Sequence, residues 1–284
     1  MAVHYERVGS GPPLVLLHGI GHRWQAWSPV MDALAAHHEV VAIDLPGFGQ
    51  SPFEEAYDVE RAVARLAAVF AEMGMERPHV AGNSLGGLLA LELAAAGHVA
   101  SATAISPAGF WNRRQRAYSL SIVTLIWLAS QCPRPVVRAC LRTPGRRRLA
   151  CGLLFGKPSG AEPDVVMADL LAFRDARGFW PAFRTGLRYS YAARPIDVPV
   201  TIAWGTKDRV LPQGQARRAR RLLPEAEWVD LPGLGHVPMP DDPDLVARTI
   251  LKTTAAVGQT SAGVAQATRG SSPATPPPAP ADRP

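Results

Sequence analysis

From residue 13 to residue 105, short continuous apolar runs alternate with stretches of helical periodicity, and this alternation restricts the fold more than any other feature. Pro13-Leu-Val-Leu-Leu-His-Gly19, Glu39-Val-Val-Ala-Ile43, Pro78-His-Val-Ala81 and Val99 to Ile105 read as strands. An uninterrupted apolar run bounded by Gly or Pro suits a sheet covered on both faces. Trp24 to Ala36, Asp58 to Met73 and Leu85 to Ala96 read as helices; in the second, Val59, Val63, Leu66, Val69, Phe70 and Met73 fall largely on one side. Strand and helix in turn predict an α/β protein with a mostly parallel central sheet, right-handed crossovers and helices on both faces. Functional groups in such sheets collect beyond the carboxyl ends of the strands. His18-Gly19, Asp44, Ser84 and Ser106 all follow a strand in this reading.

The pattern breaks at Pro107. As far as about Pro195 the sequence is helical, basic and aromatic, and strand-like runs resume at Val198 to Trp204 and Glu227 to Leu231, with helices expected over Gln213 to Leu223 and Asp241 to Ala256. Asp241 or Asp242 is placed to cap the last helix, with Pro243 near its first turn. The expected organisation is a core in two parts, 1–106 and 196–257, a helical insertion over 107–195 that caps the core, and a Pro/Ala-rich tail over 258–284 whose composition predicts disorder. The net charge is +6, and its distribution is more informative than its size. Residues 107–194 hold fourteen arginines and one lysine against four acids, a surplus of eleven, while the rest of the chain is mildly acidic. Such a surface suits an anionic substrate or peripheral contact with a membrane, or is simply a solvated face. Zinc-ligand pairs, interleaved strand aromatics and a recognition-helix pattern are absent, which argues against nucleic acid as a partner. Cys132, Cys140 and Cys151 lack metal-ligand spacing and suit a reducing compartment. Residues 1–7 show no basic region followed by an apolar core, and the apolar stretch around Ile122 to Ala129 is too short to span a bilayer. A cytoplasmic location is the expectation.

Gly82-Asn-Ser-Leu-Gly86 lies between the strand ending at Ala81 and the helix starting at Leu85, the context a G-x-S-x-G nucleophile elbow requires. Small residues at 82 and 86 let strand and helix cross closely, and Gly87 lets the helix start lie near the sheet. Alone, the pentapeptide is equally compatible with a glycine-rich loop bearing a solvent-facing serine. Serine needs a base at neutral pH, and the base needs an acid to hold its tautomer. Asp208 follows one late strand and His236 the next, so neighbouring strand ends bring them together across the sequence gap. Asp44 is read as bracing its Pro-Gly turn and His18 as orienting the loop that follows it; His22, in the same loop, is a weaker candidate for substrate contact.

Taken together, His18-Gly19, Asp44-x-Pro-Gly47-x-Gly49-x-Ser51, Gly82-Asn-Ser-Leu-Gly-Gly87, Gly205-x-x-Asp208 and Gly235-His236 resemble the α/β-hydrolase fold family, in its cap-bearing form, over roughly residues 3 to 256. The resemblance implies Ser84 as nucleophile, Asp208 as acid, His236 as base, and an oxyanion hole from the amides of Leu85 and Ile20, with Gly21 as the alternative to Ile20. It implies hydrolysis of a carboxylic ester through an acyl-enzyme, with no metal or organic cofactor, on a small ester or lipid-like substrate. Among the aromatics of the insertion, Trp111, Phe179 and Trp180 are the expected substrate contacts. Similarity to hydrolases of ring-cleavage products keeps C–C bond hydrolysis as an alternative, although Ile20-Gly21-His22-Arg23 departs from the glycine-rich segment common there. A noncatalytic ligand-binding relative of the fold is the alternative of a different class.

Overall fold

In the computed structural model, which describes residues 3–53 and 58–269, seven strands form one sheet in the order β1-β3-β2-β4-β5-β6-β7. They are β1 (Tyr5–Val8), β2 (Pro13–Leu17), β3 (Glu39–Ile43), β4 (His79–Asn83), β5 (Ser101–Ile105), β6 (Val200–Gly205) and β7 (Glu227–Leu231). All neighbours pair in parallel except β1, which runs antiparallel to β3 with Tyr5 opposite Ile43. The sequence reading had no β1. A four-residue edge strand with half-exposed side chains has neither the length nor the apolar run by which the interior strands are recognised.

The interior strands show why both faces had to be apolar. In β2, Leu14 and Leu16 pack into one cluster with Val30, Met31 and Leu34 of α1 (Ser28–Ala35) and with Val246, Ala247 and Ile250 of the last helix. Val15 and Leu17 point the other way, into a cluster with Leu66 and Phe70 of α2 (Val59–Glu72), Leu88 and Leu91 of α3 (Leu85–Ala95), and Ala216 and Ala219 of a helix beyond β6. Alternate residues thus serve opposite layers, and every residue from Leu14 to Leu17 is wholly buried. The start of α2 is fixed by Asp58, whose carboxylate accepts the Arg61 amide at 2.8 Å. Helix α3 lies against the sheet and is buried over nearly all its length, which the two glycines of its first turn permit.

Between β5 and β6 stand five helices: α4 (Arg113–Ser130), α5 (Arg134–Leu141), α6 (Pro144–Cys151), α7 (Pro163–Asp175) and α8 (Phe179–Arg188). A capping box of Asn112 and Gln115 starts α4. The insertion is tied to the core at specific places. Tyr118 Oη donates to the Arg209 carbonyl and Ser119 Oγ to that of Val210, both at 2.8 Å. At the far end Tyr189 Oη donates to Glu92 Oε1 at 2.7 Å, and Arg194 pairs with the same carboxylate. Burial raises the Tyr189 phenol far above its ordinary range, so it remains a donor.

After β6 come α9 (Gln213–Leu222), β7 and α10 (Pro243–Arg269). Asp242 caps α10 by accepting the Leu245 amide at 3.0 Å, whereas Asp241 has another task described below. The helix continues to Arg269, so the tail boundary expected at 258 falls within it. Gly258 and Gly263 are carried inside the helix, and the first proline beyond them comes only at 273. The remainder of the tail, 270–284, lies outside the described residues. No single helix among the described residues is long and apolar enough to cross a membrane.

Candidate active site

Ser84 stands at the β4–α3 junction with φ +56° and ψ −111°, a left-handed conformation that a serine adopts only when its surroundings enforce it. The enforcement is visible in the backbone. The Ser84 amide donates to the Ile105 carbonyl at 2.9 Å, and its carbonyl accepts the amides of Leu88 and Ala108, both at 3.0 Å. A Cβ on Gly82 would come within 2.0 Å of the Gly86 carbonyl oxygen, and one on Gly86 within 2.0 Å of that of Leu17. Both positions therefore require glycine for close approach rather than for φ.

His236 and Asp208 meet as the sequence predicts. His236 Nδ1 lies 2.8 Å from Asp208 Oδ2, with both side chains buried. The other carboxylate oxygen accepts the amides of Val210 and Leu211 at 2.9 and 2.7 Å, so Asp208 is held at both oxygens. Close passage of the two strand exits is again a glycine matter, since a Cβ on Gly205 would fall 2.2 Å from the Gly235 carbonyl oxygen. With Nδ1 on the carboxylate, Nε2 is the nitrogen left to accept a proton.

Two positioning residues went unread in the sequence. Asn83 Nδ2 donates to the His236 carbonyl at 2.9 Å, linking the serine turn directly to the histidine loop. Asp241 accepts the amides of Gly235, Gly156 and Lys157 at 2.9, 2.6 and 2.8 Å, fastening that loop to the segment after α6. In the sequence Asp241 reads only as a helix cap, because Gly156 and Lys157 lie 85 and 84 residues away.

The loop after β2 completes the floor. His18 is fully buried: its Nε2 accepts the Leu45 amide at 2.9 Å, which leaves Nδ1 to donate to the Gly19 carbonyl at 2.7 Å. Burial pushes its pKa down to about 4, outweighing the Gly19 bond and the charge of Asp44, so the ring is neutral. The His22 amide closes a turn on the Gly19 carbonyl at 3.1 Å, with Gly21 at φ +75° inside it. Asp44 braces this region: Oδ1 accepts the Trp24 amide at 2.7 Å, while Oδ2 accepts that of Gln50 at 2.9 Å and lies 3.1 Å from His4 Nδ1. Both His18 and Asp44 thus have the bracing positions expected of them.

Ser84 opens onto two cavities. The larger, about 350 Å³, is bounded below by Gly19, Ile20, Ser84 and His236, and above by aliphatic side chains of α4 to α7 such as Ile126, Val137, Leu141, Val166 and Leu170. The smaller, about 60 Å³, adjoins Ser84, Ile20 and Leu85 on the side of Trp111, Leu120 and Phe183. His22 lines the larger cavity and reaches toward Asp169 of α7. Of the three aromatics expected to contact substrate, only Trp111 lines either of these two cavities. Phe179 and Trp180 do not: Phe179 is buried in an aromatic cluster with Trp127, Phe173 and Phe183, and Trp180 stacks edge-on to that cluster from the outside, 39% exposed. Phe179 and Trp180 hold the insertion together, and the wall of the larger cavity is mainly aliphatic, with Phe155 and Phe173 as its aromatics. Helical periodicity in α5, with Val137 and Leu141 one turn apart, was the available signal for that wall.

A serine at a strained strand-to-helix turn, a buried His–Asp pair beyond two later strands and a roofed apolar cavity define a class, and comparison with known proteins gives it a family. A model of the alpha/beta hydrolase family matches residues 14–249, and the chain belongs to that family. Among curated proteins it is 28% identical over 239 residues to the dihydrolipoyllysine-residue acetyltransferase component of the acetoin cleaving system of Pseudomonas putida, covering 80% of this chain and 59% of that protein. The chain thus spans less than two thirds of that relative's length. It is 47% identical over 94 residues to the pimeloyl-[acyl-carrier protein] methyl ester esterase of Aeromonas hydrophila, 33% of this chain and 36% of that one. A hydrolase of 2-hydroxy-6-oxo-2,4-heptadienoate also stands among the relatives. Among solved structures, that of a membrane phospholipase A superposes with a TM-score of 0.70 at 28% identity, over 90% of this chain and 83% of that one. The chain is thus a member of this family, with an esterase and a 2-hydroxy-6-oxo-2,4-heptadienoate hydrolase among the proteins it is similar to.

Proposed function

We propose that the protein is a serine hydrolase that cleaves carboxylic esters with an apolar acyl group through an acyl-enzyme. The observation that carries this reading is the strained Ser84 on the floor of an aliphatic cavity whose boundary also includes His236, itself bonded to Asp208. His236 Nε2 removes the Ser84 proton as Oγ attacks the acyl carbonyl, and returns it to the leaving alcohol. Asp208 holds the ring by Nδ1 and stabilises the imidazolium formed in that step. The carbonyl oxygen, now charged, is received by the amides of Leu85 and Ile20. Leu85 is the first residue of α3, so its amide has no partner within the helix, and Ile20 occupies the turn closed between Gly19 and His22. A donor of this kind contributes about 3 kcal/mol to the transition state. Water activated by the same histidine then releases the acid.

The unequal cavities divide the substrate: the acyl chain occupies the aliphatic space under the helical cap and a small alcohol the space beside Trp111. A fluorophosphonate probe with intact mass measurement tests the chemistry. Stoichiometric labelling that disappears in Ser84→Ala, together with ester turnover, is expected; a folded protein that neither labels nor turns over esters is a binding protein instead. A panel of p-nitrophenyl esters set against ring-cleavage diketones decides the bond. Preferential turnover of the diketones would replace ester cleavage by C–C cleavage.

A further inference from the structure

Residues 107–161 contain nine arginines and one lysine and no aspartate or glutamate. Where these arginines bond inside the chain, they donate to carbonyl or hydroxyl oxygens. Arg116 reaches the Leu187 carbonyl and Ser190 Oγ, Arg146 the Ala139 carbonyl, and Arg147 the carbonyls of Ser159 and Leu141. Asp175, whose titration feels Arg134, is already bonded to Arg174 at 2.8 Å. Lys157 lies 3.8 Å from Asp242, and the arginine charge of this region is left largely uncompensated among the described residues.

The same region carries exposed aliphatic side chains. Leu125 and Leu128 of α4 and Val136 of α5 are each about half exposed, and Leu149 of α6 is 87% exposed. Leu125, Val136 and Leu149 also line the 350 Å³ cavity, as do the exposed Cys132 and Cys140, so the cavity reaches the surface among them. Helices α4 and α5 meet at 112°, a bend that brings an apolar helix end and a basic helix to one corner of the molecule. Exposed aliphatics among arginines, around the mouth of an aliphatic cavity, match the layered chemistry of a lipid surface: phosphates outside, acyl chains beneath.

We propose that the face formed by the C-terminal half of α4 together with α5 and α6 docks on an anionic lipid bilayer. Leu128, Val136 and Leu149 enter the acyl layer, Arg138, Arg142 and Arg148 engage lipid phosphates, and the cavity mouth opens directly onto lipid. Guanidinium groups suit this role because their planar donor fork pairs with phosphate oxygens bidentately. Docking needs the cavity mouth but not the chemistry at Ser84, so the two readings fail separately.

The test is sedimentation of the full chain, as Ser84→Ala, with vesicles of phosphatidylcholine alone or mixed with phosphatidylglycerol. Binding to the mixed vesicles is expected to exceed that to the neutral ones by about tenfold or more, and to weaken in high salt. Leu128→Asp, and separately the combined Arg138→Glu, Arg142→Glu and Arg148→Glu exchange, should each lower vesicle binding about tenfold. Neither set lines a cavity, so with Ser84 present both proteins should hydrolyse a soluble short ester as the parent does, which also reports that they are folded. No binding to either vesicle, equal binding to both, or undiminished binding by both variants would overturn the proposal. A salt-resistant dimer abolished by Leu128→Asp, without vesicle binding, would assign the face to a second copy and overturn it as well.

Discussion

The core and the insertion solve the same problem, positioning groups around Ser84, with opposite materials. In the core, alternate residues of β2 are wholly buried on both faces, α3 is packed along its length, and glycines at 82, 86 and 205 allow backbones to touch. In α5 and α6, burial is confined to Val137, Leu141 and Cys151, and the arginines other than the partly buried Arg147 are exposed. A Cβ at Gly86 has nowhere to go, whereas one at Gly145 of α6 meets nothing within 4 Å. The difference teaches that the groups the proposed reaction needs placed most closely sit on the part that cannot yield, while the wall that would select a substrate in that reaction sits on the part that can.

The comparison breaks first at the acid. Asp208→Asn should leave the fold intact and lower kcat for esters by about 10⁴-fold, because the amide favours the wrong tautomer of His236. Steady-state kinetics with thermal unfolding as a control checks this, and retention of more than a tenth of the parent rate would mean that another group orients the ring. Gly86→Ala should cost about 3 kcal/mol of stability, the upper range for overpacking a dense site, while Gly145→Ala should be neutral or slightly stabilising in denaturant titrations. Equal effects at the two glycines would erase the distinction drawn between the regions.

Acid should separate them too. All eight histidines lie outside 107–195, and burial pushes both His18 and His79 down to about 4 from an ordinary value near 6.5. A ring held neutral in the fold but free to protonate when unfolded contributes stability that is complete above about pH 6.5 and is lost as pH falls toward 4. The loss is at most about 3 kcal/mol for His18, from about 1.4 kcal/mol per pK unit. Denaturant midpoints at pH 7.5 and 4.5 should differ accordingly, and an unchanged midpoint would contradict neutral burial. The smallest effect belongs to the wall: Leu170→Trp, which fills part of the large cavity, should lower turnover of long acyl esters about tenfold relative to acetate with little change in unfolding temperature. Uniform loss across chain lengths would mean that the acyl group lies elsewhere.

Much of the core was legible because its constraints are local and periodic. Apolar runs bounded by Gly and Pro located six of the seven strands, and the helices α2, α3 and α9 begin and end within a residue or so of the periodicity. The edge strand β1 escaped, since four alternating half-exposed residues resemble any loop. Helix α10 outran its expected end because Gly258, which reads as a stop, is carried inside the helix, and no proline follows until 273. In the insertion, composition showed helices and charge but did not separate Trp111, which lines the smaller cavity, from Phe179 and Trp180, which pack against other aromatics. Phe179 and Trp180 looked like pocket residues because size and hydrophobicity suit packing and binding equally, and only their neighbours decide between them.

The sequence by itself determined the parallel sheet, the serine turn and the pairing of Asp208 with His236, because these depend on residue type at short spacing and on strand ends that topology makes adjacent. Tertiary structure alone decided that Asn83 reaches the His236 carbonyl, that Asp241 joins two loops about eighty residues apart, and that the wall of the larger cavity is mainly aliphatic. Those contacts depend on which surfaces meet after the helices of the insertion close over the sheet, and no local pattern encodes that meeting.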